Sequence, residues 1–244
     1  MEKISHNQVE EWFRNNQFLM HYQLVNELKK LFPNMENGTY YSALHLLKRD
    51  GLIRNVRRGL YAAGSKREFV PVVPNTVTKL FNKLVKRFPY LDNLCVWDTK
   101  WLNEFTVQQT PASITIVEVL RGTEGAVFDF VKSSYSPVFL TPTPKEIDNY
   151  ILGSRKCFVV MPLVSEAPVM SYDKITVPKL EKILVDLVCN RDLFVSFQGA
   201  ELRNIYHKAL ADYNLSLSTI RRYAKRRGRL EEIDKLLLSQ RESI

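Results

Sequence analysis

The sequence predicts an α+β protein in which an N-terminal winged helix-turn-helix is followed by a larger mixed α/β domain with a helical C-terminal end. Three observations predict this fold class. Three short helical patterns precede a hairpin pattern within residues 1–67. Apolar runs typical of strands occupy residues 94–164, and helical periodicity returns after Pro178.

The composition is that of an ordinary globular protein. Of 244 residues, 45% are apolar and 25% are charged, so the chain has enough apolar side chains for a packed core. The longest apolar run, residues 157–164, is too short to cross a bilayer. Residues 1–11 carry acidic side chains and no apolar segment, so we expect no signal peptide, no membrane contact and a cytoplasmic protein.

The positive charge is concentrated at the two ends of the chain. Residues 1–67 contain 11 basic and 6 acidic side chains, residues 68–172 contain 10 of each, and residues 173–244 contain 14 basic and 10 acidic ones. Basic patches on particular elements are typical of proteins that bind polyanions, whereas a net charge of +9 alone also suits an ordinary basic enzyme.

Two helices are predicted before residue 34. Ser5 and Gln8 have the spacing of a capping box, which starts a first helix that runs to about Asn15. A second helical pattern extends from about His21 to Phe32 and stops before a proline.

The third predicted helix carries candidate DNA contacts. Asn37 is expected to cap its start and Gly51 to end it in a left-handed conformation. Its apolar stripe consists of Tyr40, Ala43, Leu44 and Leu47. The opposite face carries side chains that can donate hydrogen bonds to bases and phosphates, namely Tyr41, Ser42, His45, Lys48 and Arg49.

A basic hairpin is predicted directly after this helix. Its first strand, Leu52–Val56, includes Arg54, and its return strand is Leu60–Ala62. The tight turn between them contains Arg57, Arg58 and a glycine. Helices followed by a hairpin with an arginine tip favour a winged helix in which these arginines contact DNA. Two alternatives stay open: the arginines merely blunt the hairpin tip, or the winged helix serves protein contacts.

A proline-containing linker divides the chain into domains 1–67 and 68–244. An amphipathic helix is predicted beyond Pro74. Five strand-like runs follow, at residues 94–97, 113–120, 126–131, 137–141 and 157–164. After Pro178 the pattern is helical, ending in two helices around Ile220 and Ile233, so we expect a mixed sheet with helices packed on it.

The helix around Ile220 carries a basic cluster that we name the tail cluster. It places six positive charges within nine residues: Arg221, Arg222, Lys225, Arg226, Arg227 and Arg229. We expect these side chains to lie on the outward side of the helix, opposite Leu217, Ile220 and Ala224. Such clustering is relieved by DNA phosphates or by an acidic protein surface. In the alternative interpretation the cluster is solvated and partly paired with Glu231, Glu232 and Asp234.

Three stretches give the chain a family resemblance. They are "LLKRDGLIRNVRRGLYAAG", "ITVPKLEKILVDLV" and "STIRRYAKRRGRLEEIDKLL". In this order they resemble the AbiEi antitoxins of AbiE-type (type IV) toxin-antitoxin systems and the related transcriptional regulators. The resemblance implies a repressor that binds operator DNA with inverted repeats upstream of its own operon, and a larger domain that contributes antitoxicity and some DNA contact. It also implies a nucleotidyltransferase-like toxin as the partner.

Motifs for catalysis or metal binding are missing from the sequence. The Gly-Ser of "LGSR" is followed by Arg155 and Lys156 where a nucleotidyltransferase needs carboxylates. No phosphate-binding loop, nucleophile elbow or zincin motif occurs, and the histidines and three cysteines lack metal-ligand spacing. We expect no enzymatic activity, catalytic residue, metal or cofactor, and three buried free thiols. The alternative to a DNA-binding repressor is a protein-interaction module whose basic surfaces bind an acidic partner.

Overall fold

The computed structural model describes residues 4, 6–33, 35–49, 51–64, 68–91, 93–110 and 112–239. The protein has the predicted α+β class. It divides into two compact units, which are Met1–Phe69 with Leu210–Asn214, and Val70–Ala209 with Leu215–Ile244. Residues 210–214 thus belong to the first unit, although the linker at residue 68 placed them in the larger domain.

Up to residue 63, the described residues of the first unit form three helices and a three-stranded antiparallel sheet. In chain order they are α1 (His6–Phe13), β1 (Leu19–Met20), α2 (His21–Leu31), α3 (Asn37–Arg49), β2 (Ile53–Arg57) and β3 (Leu60–Ala63). The sheet has the order β1-β3-β2. The three helices and the hairpin therefore lie where the sequence predicts them. Ser5 and the side chain of Asn37, the two predicted caps, lie outside the described part of the chain.

The core of the first unit uses the apolar stripe that the sequence predicts for α3. Tyr40, Ala43, Leu44 and Leu47 are all buried, and they pack with apolar side chains of α1, α2 and β2. Gly51 follows α3 with a φ of +72°, the left-handed conformation expected of a glycine that ends a helix.

Strand β1 is a short element that sequence patterning does not reveal. Leu19 pairs with Tyr61 and Met20 with Leu60. The next residue, His21, starts α2 and donates its backbone N–H to the Gly59 carbonyl oxygen at 2.9 Å. The start of α2 is thereby fixed beside the turn of the hairpin.

A four-stranded mixed sheet organises the second unit. Helix α4 (Asn75–Arg87) precedes strands β4 (Leu94–Asp98), β5 (Ser113–Val119), β6 (Val138–Leu140) and β7 (Lys156–Pro162). The sheet order is β4-β5-β7-β6. Strand β4 is antiparallel to β5, and the other two pairs are parallel. A hairpin of β8 (Val169–Tyr172) and β9 (Ile175–Pro178) follows. Four of the five predicted strand-like runs are confirmed.

The fifth run, residues 126–131, was wrongly predicted as a strand and lies in helix α5 (Glu124–Lys132). Strands β5 and β7 are parallel, and parallel neighbours need a crossover connection, usually helical. Val127 and Val131 lie four residues apart in α5 and are both fully buried. The run therefore buries one helical face, which a short apolar stretch does not distinguish from a strand.

Helices complete the second unit, as the change of periodicity after Pro178 predicts. A single turn, α6 (Pro144–Glu146), continues into a π-helical turn at Ile147–Ile151. The remaining α-helices are α7 (Leu180–Cys189), α8 (Ala200–Asp212, whose residues 210–212 belong to the first unit), α9 (Leu217–Arg226) and α10 (Leu230–Ser239). All residues of α7 from Leu180 to Val188 are buried, so α7 is the central helix of this unit. Within the described ranges, no helix is long and apolar enough to cross a membrane.

Candidate nucleic-acid interface

One face of α3 is polar and open to solvent. Tyr41, Ser42, His45, Lys48 and Arg49 are all exposed, because the opposite stripe of the helix is committed to the core. The structure therefore brings the five predicted α3 side chains onto one exposed surface. We call this surface the α3 face.

The hairpin after α3 exposes the predicted arginines as well. Arg54, Arg57 and Arg58 are all exposed. The β2–β3 register shifts between Asn55 and Arg57, and such a bulge changes the direction in which side chains leave a strand. Gly59 completes the turn with a φ of +76°, so Arg57 and Arg58 occupy the end of a tight hairpin, whereas Arg54 lies nearer its base, opposite Ala62.

His21 is a member of this region that sequence reasoning missed. Its ring stacks on that of Tyr41, with the centroids 5.2 Å apart and an interplanar angle of 27°. The Tyr61 ring of β3 lies 6.1 Å from His21 at a tilt of 44°. The stack fixes the Tyr41 ring on the α3 face. Because β1 sets the position of His21, and β1 has only two residues, no periodicity in the sequence signals this contact.

The structure divides the tail cluster into exposed, paired and inward-facing residues. Arg222 and Lys225 are exposed on α9. Arg221 Nε lies 2.7 Å from Asp234 Oδ1, and Arg229 Nη1 lies 3.0 Å from Glu232 Oε1. Pairing with the acidic residues of α10, which the sequence left open as an alternative, therefore applies to two members of the cluster.

Arg227 does not lie on the outward side of α9, where the sequence placed it. Its side chain is 13% exposed, and its Nη1 lies 2.9 Å from Asp186 Oδ1. Its Nη2 donates to Asn190 Oδ1 at 3.0 Å. The reason is helical geometry, since Arg227 follows the buried Ile220 by seven residues and shares its face. Arg227 therefore anchors α9 to α7.

Arg226 has a further partner in the second unit. Its guanidinium donates to Ser165 Oγ from Nε at 3.0 Å and also from Nη2. Arg226 also lines a pocket beside this serine. Of the six predicted members of the tail cluster, Arg222 and Lys225 are thus the exposed cations that no described residue pairs with.

A buried ionic network lies next to Arg227, and the sequence-based reasoning did not predict it. Lys182 Nζ donates to Glu118 at 2.7 Å and to Asp186 Oδ2 at 2.5 Å. Trp97 Nε1 donates to Glu118 Oε2 at 3.2 Å. Two cations, Lys182 and Arg227, balance the two carboxylates. The sequence does contain a signal for this network, because Lys182 and Asp186 interrupt the apolar residues of α7 four positions apart.

Burial and the neighbouring carboxylates shift the pKa of Lys182 in opposite directions. Burial lowers its pKa, but the Asp186 and Glu118 carboxylates more than offset this, so the pKa lies well above the usual value. Lys182 is therefore charged at neutral pH. The cations and carboxylates of the network are paired inside the core, so removing any one of them would leave an uncompensated buried charge.

The three cysteine thiols are wholly or partly buried, and the potential metal ligands among the described residues do not cluster. Cys95 and Cys157 are buried free thiols, as predicted, whereas Cys189 is partly exposed. Burial raises the pKa of all three thiols, and that of Cys157 to about 12, so the thiols are protonated at neutral pH. In the part of the chain that the structure describes, no group of three or more His, Cys, Asp or Glu side chains is arranged to hold a metal ion.

The chain matches a known family model but no curated protein. The family described as "Family of unknown function (DUF6577)" matches residues 39–243. The matched range begins within α3 and includes the hairpin and the whole sheet of the second unit. The chain therefore belongs to the DUF6577 family.

Proposed function

We propose that this protein is a DNA-binding transcriptional repressor whose first unit is a winged helix-turn-helix domain. The element order of this unit, helix, strand, two helices and a two-stranded hairpin, supports the proposal because it matches the order of winged-helix domains. In a helix-turn-helix the second helix of the pair enters the major groove. That helix would be α3.

The α3 face is the observation that carries the proposal. Five adjacent polar side chains are exposed on one helix, and three of them are His45, Lys48 and Arg49. Arginine and lysine bind guanine edges and phosphates, and hydroxyl groups bind either kind of partner. A surface of this kind supplies both base contacts and backbone contacts.

The residues have different proposed roles. His45 and Arg49 project from the middle and the end of α3 and would contact base edges. Arg57 and Arg58, at the hairpin tip, would contact phosphates or the adjacent minor groove. Arg222 and Lys225 of the tail cluster would add phosphate contacts from the second unit.

The antitoxin role depends on the AbiEi resemblance of the three stretches quoted above. On that basis we propose a cytoplasmic repressor that binds inverted repeats upstream of its own operon. Its partner would be a nucleotidyltransferase-like toxin encoded by the adjacent gene. No cofactor and no catalytic activity are part of this proposal.

A binding assay on the full chain tests the DNA-binding role. Fluorescence anisotropy would compare DNA from upstream of the gene with random DNA of equal length and composition, at several salt concentrations. The double variant His45→Ala/Arg49→Ala should lose discrimination between the two DNAs, by roughly 1–3 kcal/mol for each lost base contact. Arg14→Ala is the control, because this arginine is 71% exposed and pairs with Glu11 in the same unit.

Three outcomes are informative. Loss of discrimination in the double variant but not in the control supports base contacts by α3. Equal weakening on both DNAs would mean that the α3 face contacts only the backbone. An absence of DNA binding even at low salt would reject the repressor and favour the protein-interaction module, which an acidic partner captured by the same basic surfaces would support.

The antitoxin role has a separate test in cells. The adjacent gene is expressed alone and together with this protein, and growth is measured. We expect growth arrest that co-expression relieves. An adjacent product that is harmless, or toxicity that co-expression leaves unchanged, would reject the antitoxin role without affecting the DNA-binding proposal.

A further inference from the structure

A pocket lies at the carboxyl ends of two parallel strands of the second unit. Strands β5 and β7 run parallel, with Val119 opposite Pro162 at their last paired position. The pocket has a volume of about 700 Å³ and is bordered by the segments that follow these two strands. Small-molecule sites typically enclose about 300–1000 Å³, and ligands of open α/β sheets bind at this end of the strands.

The lining of the pocket combines apolar walls with a basic rim. Apolar side chains come from the segments after both strands and from β8, namely Leu120, Leu163, Val164 and Val169. Arg121 follows β5, and Arg226 reaches the pocket from α9. Ser165 and Asn93 supply uncharged polar groups, and Glu166 is the carboxylate in the lining. The titratable side chains of the lining therefore carry a net positive charge.

The backbone around the pocket is fixed by hydrogen bonds. Leu163 N donates to the Val119 carbonyl oxygen at 2.7 Å, which joins the two strand ends. The turn that carries Arg121 is closed by Thr123, whose N–H and hydroxyl both donate to the Leu120 oxygen, at 3.1 and 2.7 Å. Glu124 Oε2 accepts from Gly122 N at 2.6 Å. The Gly122 amide is thus already used by Glu124. The group that this turn offers to a ligand is therefore the Arg121 guanidinium.

Arg226 is held in place by its neighbour. Arg227 binds Asp186 and Asn190 of the central helix region. The end of α9 is closed by Gly228, with a φ of +68°, and by Arg229 N donating to the Ala224 oxygen at 2.9 Å. With its backbone anchored, Arg226 presents its guanidinium to Ser165 Oγ at the pocket rim. Preorganised donors bind an anion without first losing side-chain freedom.

We propose that this pocket binds a small organic phosphomonoester, with the phosphate on Arg121, Arg226 and Ser165 and the organic part on the apolar walls. Guanidinium groups form charge-assisted, often bidentate hydrogen bonds with phosphate oxygens. Two guanidinium charges match a phosphate dianion better than a carboxylate monoanion. The inference goes beyond the proposed repressor function and does not depend on DNA binding.

Isothermal titration calorimetry on the full chain, without DNA, tests the proposal. Phenyl phosphate is the probe. Inorganic phosphate tests the phosphate group alone, phenol tests the ring alone, and benzoate tests a ring that carries a carboxylate instead of a phosphate. Phenyl phosphate should bind more tightly than each of the other three. Arg121→Gln and Arg226→Gln should each weaken phenyl phosphate binding about tenfold or more, since a hydrogen bond to a charged group contributes at least that much.

Two further variants complete the test. Glu166→Gln should tighten binding, because it removes the carboxylate that repels the phosphate. Arg203→Gln is the matched control, since Arg203 is an exposed arginine on α8 of the same unit and is absent from the pocket lining; it should leave the dissociation constant unchanged. Failure of phenyl phosphate to bind at millimolar concentration would overturn the proposal. So would equal binding of benzoate, or an unchanged dissociation constant in both Arg121→Gln and Arg226→Gln.

Discussion

Lys182 bridges the two buried carboxylates of the second unit. Lys182→Met retains the volume and the apolar stem of the side chain but leaves Glu118 and Asp186 without the cation that bridges them. Breaking a buried ion pair from one side typically costs 3–5 kcal/mol, so we expect the free energy of unfolding to fall by about that amount. Urea denaturation measures it, and Lys225→Met, an exposed lysine on α9, should change it by less than about 0.5 kcal/mol.

The pH dependence of the same comparison follows from the sign of the Lys182 shift. The folded-state pKa lies well above 10.5, the usual value. The stabilisation by charged Lys182 is therefore complete below 10.5 and is lost as pH rises through the folded-state pKa. The difference in stability between wild type and Lys182→Met should not decrease from pH 7 to 9, because Lys182 stays charged and the variant's buried carboxylates can only become harder to accommodate as pH rises. A difference that shrinks within this range, or a variant as stable as Lys225→Met, would contradict the role assigned to the network.

At the scale of elements, the sequence predicts α3 and its hairpin well because their signals are local. The stripe of α3 has helical spacing, Gly51 ends the helix, and Gly59 closes the turn between alternating residues. Arg227 shows where charge counting fails. A run of basic residues indicates a solvated surface, but the spacing from Ile220 to Arg227 puts this arginine on the buried face. The helical spacing of α9 therefore predicts that Arg227 lies on the buried side.

Two elements could not be predicted from the local pattern of apolar and polar residues. Strand β1 has two residues and exists because β3 offers it a partner, so its cause is non-local. The sequence of helix α5, taken alone, has the apolar pattern of a strand. The parallel pairing of β5 with β7 requires a crossover connection between these strands, and α5 is part of that connection. The pocket rim likewise joins Arg121 with Arg226, which are far apart in the chain. Sites of this kind follow from topology more than from motifs.

The tail cluster yields a prediction for α9 as an element. If Arg222 and Lys225 contact phosphates, each releases condensed counterions on binding. Arg222→Gln/Lys225→Gln should then flatten the slope of log affinity against log salt by about 0.9 for each contact, or nearly 2 in all. Anisotropy titrations of the full chain on upstream DNA at several salt concentrations measure the slope.

A control pair lies on the same helix and its following turn. Arg221 and Arg229 already pair with Asp234 and Glu232, so Arg221→Gln/Arg229→Gln should change the slope less. An unchanged slope in Arg222→Gln/Lys225→Gln would remove α9 from the DNA interface. If that variant also failed to protect cells from the adjacent toxin, the exposed part of the cluster would be assigned to an acidic protein surface instead.

At the scale of the whole molecule, the first unit is completed by a segment from near the other end of the chain. The Tyr213 ring packs edge-on against Phe69, with the centroids 5.7 Å apart. Asn214 Nδ2 donates to Glu68 Oε1 at 2.8 Å and to the Arg49 carbonyl oxygen at the end of α3. Asn214 also lies against Gly51, where an added Cβ would be 2.8 Å from the Asn214 Cγ atom. The end of α3 thus depends on residues that a cut at residue 67 removes.

This dependence gives a prediction about residues 1–67 as an isolated fragment. Helices α1–α3 and the hairpin enclose their own apolar cluster, so we expect the fragment to fold and to bind DNA weakly, although its length is near the lower limit for an independent core. Without Tyr213 and Asn214 it should be less stable than the same residues in the full chain, by about 1–3 kcal/mol. Hydrogen exchange of the α3 amides in the fragment and in the full chain measures the difference. Asn214→Ala in the full chain should reproduce part of this loss of stability. The control Asn16→Ala, at an exposed position of the first unit, should reproduce none of it. Equal protection of the α3 amides in the fragment and in the full chain would show that residues 210–214 add nothing to the stability of the first unit.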